Sequence, residues 1–182
     1  RLVVEPLANR YHFIADPLRL LIINAPKVAE VKVPLHPTYK KRGYRTINLS
    51  SSYTDEGLCL YVDSSDLKLL KRGITRLIGL FNIRLAEIRH GVAICEYSGD
   101  GIVNPKIQWV PAVDNVKVRV LVPEALLING EINRNSLRLV EGLGEKEIIK
   151  LKVDDLAQFV RFGFVRVDEK KGNSITAILT HK

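Results

Sequence analysis

The chain reads as an all-β protein, and three observations carry that reading. Short runs alternate apolar with polar residues, the clearest being Val116-Lys-Val-Arg-Val-Leu-Val122. Glycine, proline, aspartate and asparagine punctuate these runs at short intervals, as they do between the strands of a sandwich or barrel. The runs are too numerous for one small barrel, and nothing between them has the composition of a linker, a repeat or a low-complexity tract. Two small, closely joined β-barrels are expected.

Taken in order, Leu2 to Val4 is a short apolar start that gives way to a turn region at Pro6 to Asn9. Arg10 to Ile23 is rich in β-formers, and Asp16-Pro17 breaks it in two because proline cannot donate to a ladder. Val28 to Val33 alternates apolar with charged residues, a half-buried strand. The prolines and Gly43 of Pro34 to Gly43 then make a loop. Tyr44 to Leu49 and Gly57 to Val62 are strands. Asp63-Ser-Ser-Asp66 supplies a cap and a first-turn acid for a short helix over Leu67 to Arg72, ended by Gly73.

The β-pattern resumes with Arg76 to Leu80, Asn82 to Ile88 and Val92 to Tyr97, and Ser98-Gly-Asp-Gly101 has the composition of a hairpin turn. Strands are expected over Lys106 to Val110, Val116 to Val122, Leu126 to Ile128, Leu137 to Val140 and Glu147 to Val153. Asp155 to Phe162 fits helical spacing behind an aspartate cap, but its β-branched and aromatic content assigns a strand over Gln158 to Val167. Ser174 to Leu179 closes the chain after a turn at Lys170 to Asn173.

Net charge of +8 and a pI near 9.6 favour an anionic partner, nucleic acid first. The cations concentrate between Lys68 and Arg89 (Lys68, Lys71, Arg72, Arg76, Arg84, Arg89), where Glu87 is the single acid. Apolar residues interleave with them, so the strip belongs to a packed element whose guanidinium groups can be aimed. No apolar run approaches the roughly 20 residues of a membrane span, and the basic start lacks a signal peptide's apolar region. Cys59 and Cys95 stand alone in apolar surroundings and read as buried thiols of a reducing compartment. A soluble, cytoplasmic protein without membrane contact is expected. There is no methionine and the first residue is Arg1, so the chain reads as an excised piece whose chemistry lies upstream.

Catalytic patterns are missing. Gly142-Leu-Gly144 lacks the third glycine of a dinucleotide loop, and no glycine-rich loop ends in Gly-Lys-Ser/Thr. His12, His36, His90 and His181 have no metal-ligand spacing. The acid pair Asp154-Asp155 reads as a cap. No catalytic residue and no metal site are expected, which leaves a binding surface. Arginine and glutamine can present planar donors and acceptors to base edges, and single-stranded RNA is read in that way. Tyr11, Tyr39, Tyr44, Phe162 and Phe164 are available in principle for stacking, although core packing is the commoner use. Trp109 reads as structural.

Eight local patterns occur in an informative order. They are Arg10-Tyr-His-Phe-Ile-Ala-Asp-Pro17, Val33-Pro-Leu-His-Pro37, Gly43-Tyr-Arg45, Leu60-Tyr-Val-Asp-Ser-Ser-Asp-Leu67, Arg76-Leu with Ile83-Arg-Leu85, Lys106-Ile-Gln-Trp-Val-Pro111, Glu141-Gly-Leu-Gly-Glu145 and Gln158-Phe-Val-Arg-Phe-Gly-Phe164. The series resembles the C-terminal anticodon-binding region of the class I glutaminyl-tRNA and archaeal/eukaryotic glutamyl-tRNA synthetase family, over nearly the whole chain.

The resemblance implies two six-stranded barrels with short helices, akin to ribosomal-protein barrels, that clasp the anticodon loop. A distal barrel would run from about residue 25 to 118. A proximal one would combine about 1–24 with 119–182, and strands could be exchanged at the boundary. It further implies that ATP, magnesium and ligase chemistry belong to an upstream catalytic domain of the same polypeptide, so that this fragment itself holds no cofactor. Matched residue by residue, the implied anticodon contacts are Arg10, Arg76, Arg84, Gln158 and Arg161, with Lys71, Arg72 and Arg89 as candidate phosphate contacts. The alternative for each cation is a surface charge or a partner in an ion pair. Ala86 and Gly73 stand where the glutaminyl relatives carry an arginine and a glutamine, implying a different or looser reading of the first anticodon base.

The expected partner is tRNA(Glu), because the chain lacks a longer loop that the glutaminyl sequences carry near Leu127 to Asn135. A glutaminyl enzyme or a non-discriminating glutamyl enzyme is the alternative within the family. A free-standing ribosomal-RNA-binding barrel and an architectural barrel on a non-RNA enzyme are the alternatives outside it. Regular alternation would turn Gln158 and Arg161 to opposite faces, so a shared role requires a break in the strand.

Overall fold

Asp16-Pro17 makes the first architectural decision, because there the chain leaves one sheet and enters another. The computed structural model describes residues 5–129, 131–133 and 136–181. The expected start at Leu2 to Val4 and part of the 127–135 loop lie outside the described residues.

One sheet, here termed terminal, runs in the order Asn9–Tyr11, Leu156–Phe159, Gly163–Lys171, Ser174–His181, Asn115–Pro123, Leu137–Glu145, Phe13–Ile14. The other, termed central, runs Lys106–Ile107, Thr75–Leu77, Asn82–Arg89, Val92–Tyr97, Pro17–Ile22, Leu58–Asp63, Val110–Pro111. In each sheet the two edge strands are halves of one stretch of chain. Asn9–Tyr11 and Phe13–Ile14 are separated by His12, and Lys106–Ile107 and Val110–Pro111 by Gln108-Trp109. A single short stretch cannot occupy both edges of a flat sheet, so each sheet must curl until its edges approach. Six chain segments then build each near-barrel, and the all-β, two-barrel expectation holds. A separate ribbon pairs Glu30–Pro34 with Tyr44–Asn48.

Each sheet encloses its own core. Val116, Val118, Val120 and Val122 are buried, whereas Lys117 and Arg119 between them are exposed, the period-two pattern of a one-face-buried strand. They pack with Phe13, Phe159, Val165 and Ile175 in the terminal core. Leu20, Leu60, Phe81, Ile83 and Trp109 anchor the central one. Trp109 is fully buried and its indole N–H donates to the Ile78 carbonyl at 2.9 Å, so its role is structural. Cys59 and Cys95 are buried free thiols, and burial pushes Cys95 up to about 12. Gly142 explains the Gly-Leu-Gly pattern: a Cβ there would land on the Ile14 carbonyl, where the closing strand crosses the sheet.

Three expectations change. Lys146–Lys150 is a 3-10 helix, not a strand, because the buried Ile148 within it and the buried Leu151 just after it lie three apart and one turn aims both inward. Ser98 to Gly101 is no hairpin turn, since the strand before it is followed by Lys106–Ile107, which pairs in parallel with Thr75–Leu77. The strand expected over Gln158 to Val167 splits into the antiparallel pair Leu156–Phe159 and Gly163–Lys171. Arg161 occupies the turn between them at φ +63°.

The two interruptions meet at the seam between the sheets. His12 Nδ1–H donates to the Trp109 carbonyl at 2.9 Å, and the Gln108 side-chain oxygen accepts from the Phe13 amide at 3.2 Å. No helix among the described residues is long and apolar enough to cross a membrane.

Candidate nucleic-acid interface

Arg10 and Gln158 are direct partners in the parallel pair of Asn9–Tyr11 with Leu156–Phe159. Their neighbours Tyr11 and Phe159 point into the terminal core, so alternation turns Arg10 and Gln158 to the outer face. Arg10 Nη2 pairs with Glu5 at 3.3 Å, and its half-buried backbone position is held by the Leu35 carbonyl, which accepts from its amide at 2.8 Å. Arg10 Nε and Gln158 Oε1 are buried atoms without a hydrogen-bond partner. Burying such groups unpaired costs on the order of 1–3 kcal/mol each.

Arg161 lies three residues beyond Gln158, and the turn resolves the conflict of faces. Its guanidinium reaches across the seam to Asp66 of the central barrel, with Nη1 and Nη2 at 2.9 and 2.7 Å from the two carboxylate oxygens. The Asp66 side chain is fully buried, and its carboxylate holds Arg161 above its ordinary value. The turn beside Arg161 is clamped as well: the Val160 carbonyl accepts from Gln108 Nε2 at 2.9 Å, and the Val160 amide donates to Tyr11. A notch of about 110 Å³ opens at this seam, lined among others by Phe13, Asp63, Ser65, Gln108, Arg161 and Phe162.

Arg76 and Arg84 sit on the central sheet instead. Arg76 is opposite Asn82, and Arg84 follows two residues on, so all three share a face. Arg76 is engaged within the protein: Nη1 donates to Asn82 Oδ1 at 3.1 Å and to the Asp100 and Gly101 carbonyls, and Nη2 to the Leu80 carbonyl. It ties down the crossover loop that follows Tyr97. Arg84 is 64% exposed and pairs with Glu96 at 2.9 Å, a contact that solvent and salt readily loosen. Lys71 and Arg72 are exposed beyond the four-residue helix Leu67–Leu70. Arg89 pairs with Glu87 and borders a cleft of about 730 Å³ that also carries Asp55 and Glu56, a mixed-charge setting ill suited to a phosphate.

Of the aromatic residues singled out, Tyr11 and Phe164 are buried and Phe162 packs edge-on against Phe13 at 5.0 Å. Tyr39 and Tyr44 remain exposed, Tyr39 on the loop whose Leu35 holds Arg10 and Tyr44 at the start of the strand that follows it. That loop carries Lys40 and Lys41, both exposed, and Arg42, which donates to Asn9 and to the Pro6 carbonyl. Sequence reading passed over Lys40 and Lys41, although a Lys-Lys-Arg run between tyrosines was the available signal. Nothing in the sequence could have joined Asp66 to Arg161 or Gln108 to Val160.

Beneath the interface lies a buried ionic cluster. Arg45 Nε donates to Glu145 Oε1, which also accepts from the His12 amide, and both side chains are almost wholly buried. Burial raises Glu145 to about 7, with Arg45 pulling it back down. Burial, then the nearby Arg45 charge, lowers His12 to about 3, so it is a neutral structural donor. Among the described residues no group of three His, Cys, Asp or Glu is arranged to hold a metal.

Residues 8–98 match a family model described as tRNA synthetases class I (E and Q), anti-codon binding domain, and residues 106–168 match a second model of the same description. Glutamate–tRNA ligase of Pyrococcus furiosus is 37% identical over 188 residues, covering all of this chain and 30% of the relative. The Pyrococcus abyssi ligase is 35% identical and that of Caldivirga maquilingensis 31%, with the same coverage. The chain thus spans about 30% of the length of the curated relatives it matches. The chain belongs to the class I (E and Q) tRNA synthetase anticodon-binding domain family.

Proposed function

We propose that this chain is the anticodon-reading part of a glutamate–tRNA ligase and that it binds the anticodon loop of tRNA(Glu). Its catalytic partner is a domain of the same longer polypeptide, in the cytoplasm, where glutamate, ATP and magnesium are handled. The observation that carries the reading is the side-by-side placement of Arg10 and Gln158, each with an unpartnered buried polar atom, next to the Arg161 turn. A guanidinium and a carboxamide offer the directional donors and acceptors that a base edge requires. Unstacked anticodon bases enter at this group and along the Arg76–Arg84 face, while Lys40, Lys41, Lys71 and Arg72 neutralise phosphates. Arg76 reads less directly than Arg84, since its donors already serve the fold.

Binding of the chain to anticodon stem-loop hairpins tests this. The hairpin of tRNA(Glu) should bind, and a swap of its third anticodon base from C to G should weaken binding by about 5- to 150-fold. Equal binding of the C and G hairpins assigns a non-discriminating reader, a preference for G assigns the glutaminyl specificity, and no dependence on any anticodon base overturns the reading.

A further inference from the structure

We infer that Asp66 is a positioning residue for Arg161, so that the central barrel aims a base reader carried by the terminal barrel. The inference rests on the anticodon reading above and adds to it the residue that sets the direction of the contact.

The geometry is an end-on fork. Both Nη atoms of Arg161 engage the Asp66 carboxylate, at 2.9 and 2.7 Å, using one N–H each. A guanidinium has five N–H groups, so Nε–H and the second N–H on each Nη stay available. The fork fixes the plane of the group, which a single contact would not do. Asp66 is itself immobile. Its side chain is 0% exposed, and the turn Ser64–Asp66 that carries it is capped by Asp63, which accepts from the Ser65 amide at 3.1 Å. The Arg161 side chain is 42% exposed, so one side of the fork is anchored while the other meets solvent.

The backbone just before Arg161 is held from the central barrel too. Gln108 bridges the Phe13 amide and the Val160 carbonyl, and the Val160 amide donates to the Tyr11 carbonyl at 3.0 Å, tying the turn to the strand that carries Arg10. Arg161 is therefore held at its tip by Asp66, while Gln108 holds the carbonyl of Val160 just before it, both from the opposite barrel. The charge balance also selects the ligand atom. A guanidinium neutralised by a buried carboxylate keeps directional donors but little net charge, and a phosphate brought against it would also meet the Asp66 anion. A neutral base edge meets no such opposition. Arg161 serves discrimination, not general RNA affinity.

The test compares the parent chain with Arg161→Ala, Asp66→Asn and the double variant, binding hairpins in which each anticodon base is varied in turn. Arg161→Ala should lose about tenfold or more of discrimination at one base position. Asp66→Asn should lose discrimination at that same position, and the double variant should be no worse than Arg161→Ala. A carboxylate that merely staples the barrels would lower thermal stability in Asp66→Asn and leave base preference as in the parent, which overturns the inference. If Arg161→Ala changes preference at no base, the anticodon role of Arg161 fails instead, and the two failures are distinguishable. If Asp66→Asn does not fold, nitrogen NMR of the Arg161 guanidinium in the parent chain decides. Slowly rotating, separate Nη signals that persist in the hairpin complex support the fork, and their averaging on binding shows that RNA breaks it and overturns the proposal.

Discussion

Arg45 and Glu145, one hundred residues apart in sequence, form an ion pair in which neither side chain is more than 2% exposed. Arg45 comes from the two-stranded ribbon and Glu145 from the end of the strand Leu137–Glu145, so the pair pins the ribbon to the terminal barrel. Glu145 also takes the His12 amide, at the interruption where that barrel closes.

Removing one partner should therefore be severe. Arg45→Ala leaves a buried carboxylate uncompensated, and a loss of ~3–5 kcal/mol is expected in urea unfolding. A double variant with well-packed apolar residues at both positions should recover most of it. A single-variant loss below about 1 kcal/mol would mean that water reaches Glu145.

The same cluster makes a pH prediction with two opposing signs. His12 is depressed from 6.5 to about 3, so its contribution is present above pH 6.5 and is lost as the pH falls toward about 3. Glu145 is raised from 4.5 to about 7, so its contribution is present below pH 4.5 and is lost as the pH rises through about 7. Between pH 4.5 and 6.5 the two slopes oppose, each at most ~1.4 kcal/mol per pH unit. His12→Gln removes the first, and its stability should fall with rising pH over that window while the parent's stays nearly level. Parallel stability–pH curves would contradict this.

Gly142→Ala tests barrel closure. Its methyl meets the Ile14 carbonyl, a backbone atom that cannot rotate away, so a loss of ~1–3 kcal/mol or more in thermal unfolding is expected. Unchanged stability would imply that the Phe13–Ile14 strand is not held against Leu137–Glu145.

Arg76 and Arg84 should separate folding from reading. Arg76→Ala removes four hydrogen bonds and should cost ~1–3 kcal/mol of stability. Arg84→Ala removes one exposed pair and should cost under ~1 kcal/mol while relaxing base preference in hairpin binding. If Arg84→Ala binds every anticodon variant as the parent does, Arg84 is a surface cation only.

Lys40→Ala and Lys41→Ala should weaken all hairpins alike and reduce the slope of log affinity against log salt by ~0.7–0.9 each, as lost phosphate contacts do. A selective loss against one anticodon would instead mark that lysine as a base reader.

The local order of the chain was written in the sequence. Alternation marked Val116 to Val122, the Asp-Pro pair marked a break between two strands, and the Asp-Ser-Ser-Asp run marked the capped turn that leads into the short helix, because each depends on neighbours a few residues away. The segments misread were those whose form answers to a distant partner. Lys146–Lys150 coils because two apolar residues three apart must both reach the core, and the Gln158 strand breaks because its turn is clamped by Gln108. The resemblance to anticodon-binding sequences named Arg10, Gln158 and Arg161 by position. Only the tertiary structure decided that Arg10 and Gln158 are register partners, that Arg161 answers to Asp66, and that Arg76 is committed to its own loop. Sequence separation says nothing about which side chains a closed sheet brings within 3 Å, and that pairing determines which guanidinium groups keep free donors.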